Sequence, residues 1–120
     1  MKFPANVVSL HPYFKAHPGK LDAVKASLPA FVEKTATEEQ CLYYEFTING
    51  DELFCREGYV GAEGVLAHLA NVGALLGELL TISDLARIEV HGPAEELEKL
   101  KGAVGGMNPA WFVRVCGVNG

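Results

Sequence analysis

Apolar positions along this chain follow two periods, and the changes between them divide the sequence into elements. Residues 7 to 16, VVSLHPYFKA, predict a first strand in which His11 and Tyr13 share one side, with Pro12 marking an edge or a bulge. After Pro18-Gly19 the period lengthens. Leu21, Val24, Leu28, Phe31, Val32 and Thr35 form a helical stripe, with Lys20, Asp22, Lys25 and Glu33 mostly off it, and Pro29 inside it predicts a kink. CLYYEFTIN alternates again, Leu42, Tyr44, Phe46 and Ile48 against Tyr43, Glu45 and Thr47. Gly50-Asp51 then signals a hairpin, with Asn49-Gly50 as a competing turn centre. The returning strand ELFCREGYV sets Phe54, Arg56, Gly58 and Val60 against Leu53, Cys55, Glu57 and Tyr59. A second helix follows from Ala62 to Val72, with Val65, Leu66, Leu69 and Val72 inward, then a leucine-rich turn, ALLGELL, and a strand over residues 85 to 92.

That order, β-α-β-β-α-β, predicts an α+β fold of ferredoxin-like, split βαβ type with an antiparallel sheet. The chain then adds a helix and a strand. Pro93 suits a first helical turn, Glu95 and Glu96 its positive end, Lys99 and Lys101 its negative end, and Gly102 its close. GGMNP leads on to a last strand, WFVRVCG. No repeat or linker divides the chain, so residues 1–120 read as one domain, a core over about 7–91 and an extension over 93–117.

Composition narrows the function. A net charge of −5 without a Lys/Arg cluster lacks the footprint of a nucleic-acid binder. The longest apolar run is broken by Gly77 and Glu78, and the N-terminal stretch by prolines, Asn6 and His11, so neither a membrane span nor a signal peptide is expected. Cys41, Cys55 and Cys116 are odd in number and have neither C-x-x-C spacing nor a nearby His, which argues against a disulfide framework or a zinc site and for a reducing cytoplasm.

Three stretches carry a resemblance. HPGKLDAV opens the first helix, TATEEQCLYYEF enters the second strand with the pattern t..E..c..Y.f, and FCREGYVGAEGVLAHL runs from strand to helix with Glu57, an aromatic two residues on, and His68 eleven after Glu57. Together they resemble the antibiotic-biosynthesis-monooxygenase-like family of the dimeric α/β-barrel superfamily. The resemblance implies a four-stranded antiparallel sheet with two helices on one face, a homodimer formed sheet to sheet, and a small-molecule pocket between sheet and helices. It covers roughly residues 7 to 91. Relatives include cofactor-free quinol and anthrone oxygenases and haem-degrading enzymes. The latter place an axial His late in the second helix after a pocket Trp; here GALLGELL has no His and Trp111 lies outside the matched region, which disfavours haem.

The expected function is thus a cofactor-independent monooxygenase of a small aromatic or quinol substrate. The alternative is a non-catalytic binding or structural dimer of the same fold. On the first reading His68 is the base, since its pKa lies near neutrality, and Glu57 orients it. Tyr44, Tyr59, His11, Tyr13 and Asn71 are the candidate substrate-contacting groups. Each has a structural alternative: a boundary His paired to Glu57 or a carbonyl, a buried carboxylate in an ion pair, tyrosines packed in the core with satisfied hydroxyls, a capping Asn. No metal or organic cofactor is required by the expected chemistry.

Overall fold

The structure, a computed structural model, describes residues 3 to 119. Its elements are β1 (Val7–Ala16), α1 (Leu21–Thr35), β2 (Cys41–Asn49), β3 (Glu52–Val60), α2 (Gly61–Leu79), β4 (Ser83–Gly92), α3 (Ala94–Val104), a short 3-10 turn at Gly105–Met107, and β5 (Ala110–Val113). The five strands form one sheet in the order β2-β3-β1-β4-β5. The first four are antiparallel as the alternating stretches predict, while β5 joins the β4 edge in parallel, so the whole sheet is mixed. The C-terminal strand therefore extends its own sheet.

Pro12 does not mark an edge. β1 lies between β3 and β4, and the missing N–H is absorbed by two irregularities. Pairing with β3 has a gap at His11 and Pro12, and pairing with β4 shifts register between Tyr13 and Phe14, the bulge that was the alternative reading. Along β1 the even positions Val8, Leu10, Phe14 and Ala16 are buried under the helices. The odd ones face the open side.

In the β2–β3 hairpin Asn49 pairs with Glu52, which centres the turn on Gly50-Asp51. α1 runs unbroken through Pro29, and α2 is a single helix that takes in the leucine-rich stretch. Val32 and Leu66, expected inward, are exposed. Each lies one residue, about 100°, beyond the stripe that meets the sheet: Val24-Phe31-Thr35 in one helix and Val65-His68-Val72 in the other. α3 does not close at Gly102 but continues to Val104, because Leu97, Leu100 and Val104 are buried on one face of it.

Gly61 joins β3 to α2. Its φ of +68° lies in the left-handed region, and a Cβ there would meet the Glu96 carboxylate at 2.9 Å. Glu96 in α3 accepts a 2.8 Å hydrogen bond from the Ala62 N–H, so the extension supplies the N-terminal cap of α2. Two apolar clusters fill the space between sheet and helices. One gathers Val8, Tyr59, Val65, Val90 and Leu100 beneath α2 and α3; the other gathers Phe14, Val24, Phe31, Leu53 and Val72 beneath α1 and α2. Among the described residues no helix is long and apolar enough to cross a membrane.

Candidate active site

Strand alternation places Leu53, Cys55, Glu57 and Tyr59 of β3 on the helix face. Glu57 is a carboxylate among apolar neighbours there, 5% exposed, and its surroundings explain how it is tolerated. The Tyr59 hydroxyl, two residues along the same face, donates to Glu57 Oε1 at 2.6 Å. His68 comes from the middle of α2, 3% exposed, and its Nε2 lies 3.6 Å from the same Glu57 oxygen. The other ring nitrogen, Nδ1, faces Glu38, whose Oε2 and Oε1 lie at 2.9 and 3.2 Å. Asn71, one helical turn after His68, donates from Nδ2 to Glu38 Oε2 at 2.8 Å and to the Lys34 carbonyl at 2.9 Å. The result is a chain of polar groups running from half-buried Asn71 and Glu38 to buried His68, Glu57 and Tyr59. The Tyr44 ring, from β2, packs against His68 with centroids 5.2 Å apart, and the Tyr59 ring does so at 4.9 Å.

Burial and hydrogen bonding set the charge states. Burial holds His68 below the ordinary imidazole range, opposed by its hydrogen bond and charge contact with Glu38. Burial pushes Glu57 up to about 7, opposed by hydrogen bonds from Tyr59 and Cys55 and reinforced by the Glu38 charge. Tyr44, Tyr59 and Cys55 are all pushed upward by burial and stay protonated, and the Cys41 thiol rises to about 11. A carboxylate at Glu38 favours the tautomer with the proton on Nδ1, which turns the Nε2 lone pair toward Glu57. His68 is a base paired with a carboxylate, next to a carboxyl group whose pKa is raised to about 7.

His68, Glu57, Cys55 and Tyr44 line an apolar cavity of about 90 Å³. That is several times the roughly 10–15 Å³ that one water molecule requires, so the space suits a small organic molecule. Leu10, Phe14, Phe46, Val72, Leu79 and Ile88 supply apolar wall, and Val104 and Met107 bring the C-terminal extension into the lining.

Of the residues singled out in the sequence, His68, Glu57 and Tyr44 line the cavity. Tyr59 stands behind Glu57, and Asn71 reaches the site only through Glu38. His11 and Tyr13 are not brought there. The inward parity of β1 belongs to Leu10, Pro12 and Phe14, and the two aromatic residues stack with Phe54 on the opposite face of the sheet. Glu57 does not orient His68 in the expected way either; Glu38 holds Nδ1 and Glu57 flanks Nε2. Glu38 was not singled out. The signal for it was present, as the acidic position of t..E..c..Y.f in TATEEQCLYYEF.

No family model matches the sequence, and no curated protein does. Solved structures do. MupZ from Pseudomonas fluorescens is 41% identical with a TM-score of 0.89, covering 93% of each chain. Two more distant structures share the fold. Rv0793 from Mycobacterium tuberculosis is 22% identical at a TM-score of 0.64, covering 72% of this chain and 94% of its own. An antibiotic biosynthesis monooxygenase is 18% identical at 0.61, covering 69% of this chain and 92% of its own. The match to MupZ thus takes in more of this chain, 93%, than the other two, at 72% and 69%.

Proposed function

Since this chain belongs to the antibiotic-biosynthesis-monooxygenase-like family of the dimeric α/β-barrel superfamily, we propose that it is a cofactor-independent monooxygenase acting on a small quinol, anthrone or related aromatic compound. The observation that supports this reading is the Glu38–His68 pair at 2.9 Å beside Glu57, with His68 and Glu57 both lining an apolar cavity.

The chemistry needs a base, a dry pocket and O2. His68 removes the acidic proton of a CH2 or hydroxyl conjugated with the ring, and the anion passes one electron to O2. The radical pair recombines as a peroxide on the ring carbon. Protonation of the distal oxygen and loss of the remaining C–H proton leave a carbonyl in the product, and the departing hydroxide takes the proton held by His68 to leave as water. Glu57, with its pKa raised to about 7, is suited to protonate the distal oxygen. Tyr44 lines the same cavity and is assigned the role of orienting the substrate oxygen.

A second reading is supported by the same Glu57. An acid beside a base also serves non-oxidative proton transfer, such as isomerisation, elimination, or attack of a hydroxyl with cleavage of a C–O bond. Oxygen decides between the two. Metal-stripped protein given a panel of anthrones, quinols and catechols should consume O2 with saturation, and His68→Ala should abolish the uptake with the fold intact. Equal turnover under argon would shift the assignment to the non-oxidative reaction. No turnover in either atmosphere would leave a binding dimer.

We also propose a homodimer through the open sheet face, where Tyr13 and Phe54 form an aromatic pair with centroids 4.7 Å apart, and a cytoplasmic location suited to three free cysteines.

A further inference from the structure

The open face of the sheet carries a second group of ligating side chains, remote from the cavity. His11 of β1 and Glu89 of β4 are cross-strand partners, and His91, two residues beyond Glu89, pairs with Ser9 on the same face. Ligand atoms of all three side chains lie within 4.8 Å of one another. His91 Nε2 is 2.9 Å from Glu89 Oε1, and the two imidazole centroids are 4.4 Å apart. We propose that His11, Glu89 and His91 form a binding site for a first-row divalent transition metal ion such as Zn2+.

Two imidazoles and one carboxylate are the donor set that zinc and its neighbours prefer, whereas Mg2+ and Ca2+ take oxygen ligands. A tetrahedral ion with bonds of 2.0–2.2 Å needs donor atoms about 3.4 Å apart. The His91–Glu89 contact of 2.9 Å lies close to that separation and all three donors lie within 4.8 Å of one another, so small side-chain rotations bring the set onto an ion. The surroundings fix the donors as outer groups do at metal centres. Phe112 stacks on His91 at 4.4 Å with an interplanar angle of 7°, the Ser9 hydroxyl lies 2.8 Å from His11 Nε2, and Arg87 Nε donates to Glu89 Oε2 at 2.6 Å, leaving Oε1 toward His91. Three protein donors leave a fourth position open to water or to a group from another molecule.

No Cys/His spacing announces this site, because its donors are assembled across two strands that are about eighty residues apart in the chain. It stands independently of the acid–base reading of the cavity. Its location on the face proposed for dimerisation would place a bound ion within or beside that contact.

The test is calorimetric titration of the tag-free, chelator-treated full chain with Zn2+. One saturable site per chain is expected, weakened at least roughly tenfold in His11→Ala and in His91→Ala. The half-buried His17, paired instead with Asp84 at 3.0 Å, provides the control, and His17→Ala should bind as the wild type does. His11→Asn and His91→Asn replace the alanine variants if near-UV circular dichroism reports a disturbed fold. Absence of saturable uptake by the wild type, or equal affinity in the His11 and His91 variants, would overturn the proposal and leave the cluster as a hydrogen-bonded surface patch.

Discussion

His68 Nδ1 lies 2.9 Å from Glu38 Oε2, although the two residues are thirty positions apart and belong to different elements, a helix and the loop between α1 and β2. The contact decides which imidazole nitrogen faces the cavity. Carboxylate oxygens only accept, so the proton resides on Nδ1 and the lone pair on Nε2. Asn71 anchors the same carboxylate through a second donor, so Glu38 itself has little freedom to turn away.

Glu38→Gln removes that constraint without removing bulk. An amide can donate to Nδ1 as readily as it accepts from it, and His68 then gains the tautomer with its proton on Nε2. Turnover should fall by roughly 10²–10⁴-fold with little change in KM. Nitrogen NMR of His68 should show a single Nδ1–H tautomer in the wild type and a mixture in the variant. An unchanged tautomer with lost activity would rule out orientation as the role of Glu38.

Tyr59→Phe tests the acid. The Tyr59 hydrogen bond lowers the pKa of Glu57, so its loss lets burial push the carboxyl above about 7. Activity that depends on neutral His68 and protonated Glu57 rises with pH on the acid limb and falls on the alkaline limb as Glu57 ionises. The alkaline limb should move to higher pH in Tyr59→Phe while the acid limb stays. A displaced acid limb instead would assign that titration to Glu57.

Much of this arrangement was legible in the sequence because alternation and helical period report directly on which side chains share a face. β3 needed nothing else to put Glu57 and Tyr59 together, and α2 needed only Val65 and Val72 to carry His68 inward. β1 was harder. The parity of His11 and Tyr13 was visible, but which parity faced the helices depends on the sheet order, a long-range property. In β2 an irregularity between Cys41 and Tyr43 breaks simple alternation, so that Cys41 pairs with Tyr59 and Tyr44 with Glu57. Glu38 lies in a loop, where no period operates; only the resemblance pattern contained it. The capping of α2 by Glu96 joins elements that are 34 residues apart and has no local signature.

Glu57→Gln should change the pH dependence of stability with a sign fixed by the raised pKa. The native state holds a proton that the unfolded chain releases above the ordinary carboxyl value of 4.5, so the wild type loses stability as pH rises from there to about 7. Below that window the native carboxyl is neutral and imposes no such penalty. Glutamine cannot ionise. The wild type should therefore fall relative to Glu57→Gln by up to about 3 kcal/mol across the window, read as the difference between denaturant unfolding curves at several pH values. His68 titrates in the opposite direction, but it does so in both proteins and largely cancels in the difference. A flat difference would mean that Glu57 is ionised at its ordinary pKa despite its burial.

Two glycines of α2 should respond oppositely to alanine. Both substitutions raise helix propensity by roughly 0.8–1 kcal/mol, and what the added methyl meets decides the sign. At Gly73 nothing lies within 4 Å, so Gly73→Ala should stabilise the protein by nearly that amount. At Gly64 the Cβ would come within 2.9 Å of Tyr59 Cβ and 3.0 Å of Gln40 Cβ, atoms next to the backbone that cannot swing aside. Overpacking of this kind costs roughly 1–3 kcal/mol, enough to cancel the propensity gain and, at the upper end, to exceed it by about 2 kcal/mol. The displaced residue is also the donor to Glu57, so Gly64→Ala should lower turnover as well as the denaturation midpoint, while Gly73→Ala should leave turnover unchanged. Stabilisation by both substitutions would show that α2 does not press on β3 as closely as these contacts require, and the alignment of His68 over Glu57 would need to be reconsidered.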